Sequence, residues 1–150
     1  MSAFEAITKG LFNNLSEAGV EIDKNIRNNW KEWKEYNPNG IVAFRLKDSN
    51  DKAIWKNPKE VEKYGLMGNP FMGWLEDGDK TRDTKYFDRW LKYGETQGNP
   101  IATEELRQEY IKLIKKASQD EGRVLYYADI PPSESHAAVI GYYIQHPQYL

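Results

Sequence analysis

The sequence predicts an α/β domain over residues 40–150, a small and mostly parallel sheet flanked by helices in a Rossmann-like arrangement, preceded by a helical extension over residues 1–39. Two strand-like runs and the helical periods around them carry this prediction. The run Ile41-Val-Ala-Phe-Arg-Leu46 alternates well enough for a strand, and Asp48-Ser-Asn-Asp51 after it is turn chemistry. The run Arg123-Val-Leu-Tyr-Tyr-Ala-Asp129 is apolar and β-prone, and it passes through a Pro-Pro turn into an apolar helical stretch ending near Ile144. Strand, helices, strand, helix is the order of a partly parallel α/β sheet.

The remaining elements follow in chain order. Ser2-x-x-Glu5 is a capping box, and Phe4, Ile7, Leu11 and Leu15 continue at helical spacing to Gly19. A second helix is expected from about Asp23, with Ile22, Ile26, Trp30 and Trp33 as its apolar stripe, stopping at Asn37-Pro-Asn-Gly40. Ala53-Ile-Trp55 reads as a short returning strand, and Asn57-Pro58 as the cap and first residue of a brief helix through Lys63. Tyr64–Phe71 is a glycine-bearing loop, and residues 73–83 form an exposed one. A helix from about Thr84 presents Phe87, Trp90 and Leu91 and ends near Gly94; Thr103 caps a longer helix that Gly122 terminates.

Composition narrows the function classes. With 39% hydrophobic and 29% charged residues, the chain can form a core. It has no cysteine, which removes disulfides, thiolate catalysis and Cys-ligated metal, and fits a reducing cytoplasm. No signal peptide and no apolar run of membrane-spanning length is present, so no membrane association is expected. A net charge of −2 argues against nucleic acid as a partner, the lysines of 112–116 with Arg123 being the local exception. The acidic stretch around Asp77, Asp79 and Asp83 lacks the ligand order of a calcium loop, and no resident metal or cofactor is expected.

The strand–turn–helix unit around residues 122–144 is the main candidate for a site. With Ser133 as cap, the free amides near Ser135 and the positive end of the helix dipole would face the strand end and favour an anion. His136 in the first turn is a candidate acid or base, with Asp129 to orient it, and Tyr127 stands on the same strand. The ordinary reading makes Asp129 a strand end, Ser133 a cap and His136 a surface residue. The loop Gly68-Asn69-Pro70-Phe71 can bring backbone amides to a phosphate, or can simply be a turn that plugs Phe71 into the core. Arg82 is a candidate anion contact.

Three segments together resemble a family of small uncharacterised domains found in phages and bacteria: Gly68-Asn-Pro-Phe71, then Thr81-Arg-Asp83 leading to Tyr86 and Trp90-Leu91, then Gly122-Arg-Val-Leu125 through His136-Ala-Ala-Val139. The resemblance covers about residues 41–145. The family's strand cysteines correspond to Tyr127 and Asp129, and its Cys before the histidine to Ser135, so no cysteine chemistry carries over. It implies an α/β domain, a shared pocket joining Gly68–Phe71 to His136, and a phage or bacterial source.

The expected function is binding of a nucleotide, nucleoside or other phosphorylated small molecule at the C-terminal edge of the sheet, with turnover left open. The alternative is a phage-type host-takeover or anti-defence protein, acting in the host cytoplasm, that binds and inhibits a host protein through its Trp-rich N-terminal helices, with residues 22–36 exposing Trp30 or Trp33. A homo-oligomer is compatible with either.

Overall fold

The computed structural model describes residues 1–12, 14–44, 58–128 and 130–150. Three strands, β1 (Val20–Ile22), β2 (Ile41–Ala43) and β3 (Val124–Tyr126), form an all-parallel sheet in the order β1-β3-β2. Val124 lies opposite both Val20 and Ile41. An isolated parallel bridge, Val42 to Leu66, extends the β2 edge. Around the sheet lie α1 (Ala3–Thr8), α2 (Ile26–Tyr36), α3 (Pro58–Tyr64), α4 (Lys80–Tyr93), α5 (Glu104–Gln119) and α6 (His136–Gln145).

Strand alternation divides the core into two layers. Val20, Ile41, Ala43, Val124 and Tyr126 pack with α1, α4, α5 and α6. Val42 and Leu125 point the other way, against Ile26 and Trp30 of α2 and Leu66. The sheet is therefore covered on both faces, as parallel sheets require.

The N-terminal segment differs from the expected long helix. Helix α1 starts as the capping box predicts, with the Ser2 hydroxyl accepting from the Glu5 amide at 3.2 Å. It then stops at Thr8, and a separate 3₁₀ turn, Leu15–Ala18, is capped by Asn14, whose side-chain oxygen accepts from Glu17 N at 3.0 Å. Leu11, expected inside, is exposed. Ile22, expected in the stripe of α2, belongs to β1 instead. The segment anticipated as purely helical thus supplies an edge strand, and Ala3, Ala6, Ile7 and Leu15 share one core with α4 and α6.

Two helix ends also moved. Asp79, not Thr84, begins α4: its carboxylate accepts from Arg82 N at 3.0 Å, while Thr84 lies inside the helix. At the end of α5 the left-handed residue is Glu121 (φ 51°), not Gly122. Gly122 is needed for a different reason, since a Cβ there would stand 2.7 Å from Ala117 Cβ and 2.9 Å from Asn39 O. Glu121→Gly removes the side-chain strain and is expected to raise stability by about 0.5–1 kcal/mol in urea denaturation, the lower unfolded-state order of Gly taking back part of the gain. The expected turn at 48–51, the strand at 53–55 and the cap at Asn57 lie outside the described residues.

Candidate functional site

The strand ends, α2's start and α6's start all lie at the C-terminal edge of the sheet, because β1 runs into α2 through residues 23–25 and β3 leads through Ile130-Pro131-Pro132 to α6. The three segments that carry the family resemblance also meet here. His136 Nε2 lies 2.9 Å from Met67 O, its ring packs edge-on to Phe87 (5.2 Å) and Tyr126 (5.9 Å), and Asn69 Nδ2 donates to Asp83 O at 3.1 Å.

Their meeting makes a packed node. His136 is only 5% exposed, so the surface acid or base expected from its place in the helix is a core residue instead. The Gly68–Phe71 loop is likewise built inward. Tyr110 Oη donates to Gly68 O (2.9 Å), Asn99 Nδ2 donates to Pro70 O (2.8 Å), and Asn69 Oδ1 accepts from Phe71 N (2.9 Å). Phe71 is fully buried against Trp74, Tyr86 and Trp90. The plug reading of this loop is the one the geometry matches. Burial holds the Tyr110 phenol far above its usual range, which keeps it a neutral hydrogen-bond donor.

The helix start differs from the expected one as well. Ser133 lies half-buried in a 3₁₀ turn, Pro132–Glu134, and Ser135 takes the N-cap position of α6 without a side-chain bond to the helix. Its buried hydroxyl faces the phenol of Tyr126, which burial pushes up and Ser135 partly lowers again. Arg82 is not a free anion contact. Its guanidinium is paired with Asp77, donates to Asp83 Oδ1 at 3.0 Å and covers the Tyr86 ring. The hydrogen bonds from Arg82, then the Asp79 amide, pull Asp77 down to about 2. Asp129 lies outside the described residues.

Tyr127 is the expected ligand contact that does face solvent. It stands just past β3, 40% exposed, with its ring 4.8 Å from that of Phe44 just past β2. The Arg27 guanidinium, in the first turn of α2, lies 5.2 Å from the Phe44 centroid and 6.0 Å from that of Tyr127. A cation over two aromatic faces is thus assembled from three separate elements at the strand ends. On the other face of the same edge, Ile22, Leu15 and Ile130–Pro132 line a groove of ≈ 500 Å³, with Asn14 and Ser16 at its polar side. A carboxylate stands just ahead of α2: Asp23 Oδ1 accepts from the amide of the N-cap residue Asn25 at 2.8 Å and Oδ2 accepts from Asn29 Nδ2. These bonds, the backbone one first, lower the Asp23 pKa.

No protein-family model, curated protein or solved structure matches the chain. Arg27 and Phe44 were not singled out by the sequence. Arg27 reads as one more charge on the polar face of a helix, and Phe44 as a core residue of a strand; only the parallel pairing of β2 with β3 brings Phe44 and Tyr127 together. The Trp-lined contact surface expected on residues 22–36 is turned inward. Trp30 is 9% exposed and packs edge-on to Tyr64, while Trp33 Nε1 donates to Glu21 Oε2 at 2.9 Å. The apolar face of α2 covers the sheet. Of the basic residues considered for nucleic acid, Arg123 is paired with Glu21 and Lys112 with Glu109. Among the described residues no group of three or more His, Asp or Glu could hold a metal ion, and no helix is long and apolar enough to cross a membrane.

Proposed function

We propose that the protein binds a nucleotide, nucleoside or other phosphorylated small molecule at the C-terminal edge of its parallel sheet. The observation that carries the reading is Arg27 lying over the Phe44–Tyr127 pair at the strand ends. A guanidinium recognises phosphate through paired, charge-assisted hydrogen bonds, and both guanidinium and aromatic planes stack on nucleobases. Open α/β sheets take their ligands beyond the carboxyl ends of the strands, and the groove of ≈ 500 Å³ lies at the same edge on the other face. The phosphate belongs at Arg27, not on the amides of α2, because the Asp23 carboxylate stands beside that helix start, on the amide of the N-cap residue Asn25, and would repel a second anion. In this reading His136 and the Gly68–Phe71 loop support the ends of the strands from within and make no contact with the ligand.

The test is a calorimetric titration of nucleoside mono- and diphosphates, a nicotinamide dinucleotide and a sugar phosphate against the protein. A saturable response to at least one is expected. Arg27→Ala is expected to weaken it about tenfold and Tyr127→Ala by a similar factor. A flat response to every compound would overturn the reading.

A further inference from the structure

The turn that feeds β2 carries the one Asn-Gly pair in the sequence, Asn39-Gly40. In an open chain this pair readily loses the Asn side-chain amide, because glycine has no side chain to keep its nitrogen away from the Asn carboxamide carbon. The fold itself requires the glycine: a Cβ at position 40 would stand 2.5 Å from the Trp33 ring. It also holds the pair shut. Gly40 N donates to Asn37 O at 2.8 Å, closing a turn over Pro38 and Asn39, and the next amide, Ile41 N, donates to Arg123 O at 2.8 Å. Lys34 Nζ pins the turn from α2, donating to Pro38 O at 2.8 Å and to Gly40 O at 2.5 Å. Asn39 Nδ2 donates to Asp120 Oδ2, just past α5, and Asn39 O lies where a Cβ on Gly122 would stand only 2.9 Å away.

We propose that Asn39 is a deamidation site gated by opening of this turn, and that the conversion works as a one-way switch. When the turn opens, Gly40 N is released from Asn37 O and attacks Asn39 Cγ. The new C–N bond closes a succinimide, and Nδ2 leaves with the Gly40 amide proton as ammonia. Water then opens the ring at either carbonyl, giving aspartate or isoaspartate at position 39. Neither product closes the turn as before. Aspartate sets a carboxylate against the Asp120 carboxylate where a donor stood, and like charges repel at that range. Isoaspartate adds a methylene to the main chain just ahead of β2, whose register with β3 begins at Ile41 opposite Val124. Lys34 could follow the new charge only by leaving the Pro38 and Gly40 carbonyls, which itself unpins the turn. Lys116, whose charge already repels that of Lys34, can neutralise one of the two carboxylates but not both. The turn lies at the N-terminal edge of the sheet, opposite the proposed ligand site, and neither proposal depends on the other.

The experiment follows the mass of the Asn39 peptide, cut from the full chain after incubation at neutral pH in native buffer and in unfolding urea. Deamidation at Asn39 is expected in both, on the order of tenfold slower in native buffer. Lys34→Met keeps the apolar stem and removes the pin. It is expected to speed the native reaction about fivefold and to leave the rate in urea unchanged. Asn39→Asp, which makes one product directly, is expected to lower the thermal midpoint by about 5 °C. Asn39→Asp/Asp120→Asn, which restores one donor and one acceptor, is expected to recover most of that loss. Equal rates in buffer and urea, no reaction at Asn39 in urea, a native rate untouched by Lys34→Met, a midpoint unmoved by Asn39→Asp, or a swap that recovers nothing would each overturn the proposal.

Discussion

Gly141→Ala should lower the stability of the protein by about 3 kcal/mol, and the midpoint of thermal unfolding by about 10 °C, although alanine is the better helix former by about 1 kcal/mol. Gly141 lies in α6 where the helix crosses the 3₁₀ turn Leu15–Ala18. A Cβ built there would stand 2.1 Å from Ala18 O, 3.0 Å from Ala18 C and 3.0 Å from Ala18 Cβ. The obstacle is mainly a backbone carbonyl, which cannot swing aside as a side chain can. The turn is also fixed from both ends, by the Asn14 cap and by Gln145 Nε2 donating to Glu17 O at 2.8 Å. Relief must then come from moving α6 away from β1. The Ala18→Gly/Gly141→Ala double variant discriminates between backbone and side-chain causes: it removes only the Cβ contact, so it is expected not to recover the loss in urea or thermal denaturation. Recovery would show that the side chain, and not the carbonyl, sets the approach.

Asp88→Ala is expected to cost about 2 kcal/mol at neutral pH and more in acid. Asp88 is almost fully buried in α4. Its Oδ2 accepts from Phe4 N at 2.9 Å, its Oδ1 accepts from Tyr143 Oη, and Tyr143 Oη in turn accepts from Ala3 N at 3.0 Å. One carboxylate and one phenol thus serve the orphan amides at the start of α1 and bind that helix to α4 and α6. Burial raises the Asp88 pKa, outweighing the hydrogen bonds from Tyr143, Phe4 and Ser2 that lower it. A carboxyl whose folded pKa lies above its unfolded 3.8 contributes stability that is fully present below that value and is lost as pH rises through the folded pKa. The difference between the wild-type protein and Asp88→Ala should therefore be larger at pH 4.5 than at pH 7.5. The carboxylates whose pKa is lowered, such as Asp77, act in the opposite sense, but they are common to both proteins and cancel in the subtraction. Paired urea titrations read this directly, and amide exchange of residues 3–8 should quicken first in the variant. A difference that shrinks toward acid would mean that Asp88 is held ionised by its donors.

The fold was largely legible because its signals are local. The Thr103 cap, with its hydroxyl accepting from Leu106 N at 3.2 Å, the left-handed Gly94 closing α4, and the apolar faces of Phe87, Trp90, Leu106 and Tyr110 all follow from spacing and chain chemistry. Strand β1 was not legible. Three residues are too few to show alternation, and Gly19 and Ile22 fit equally well as a helix end and a helix face. The site was legible as a location but not as residues. A strand feeding a helix marks the edge where ligands sit. But which side chains face outward there depends on packing, and packing drew His136, Ser135 and the Gly68–Phe71 loop into the core while leaving Tyr127 beside Phe44 and Arg27. Arg82 could have been read differently from sequence alone, with Asp77 and Asp83 both within its reach.

The order of strands in the sheet dictates an order of assembly. The central strand is the last to be made: Val20 and Ile41 both find their partner at Val124. During synthesis β1 leaves the ribosome with no strand to pair with and β2 with only the Val42–Leu66 bridge within reach, and every rung of the main ladder must close a loop spanning more than half of the chain. Until residues 124–126 emerge, the helices can form but the layer between them cannot. The nascent chain therefore carries Val20 and Ile41 without their strand partner, a stretch of time in which chaperone binding, or misassociation through unpaired strand edges, competes with folding.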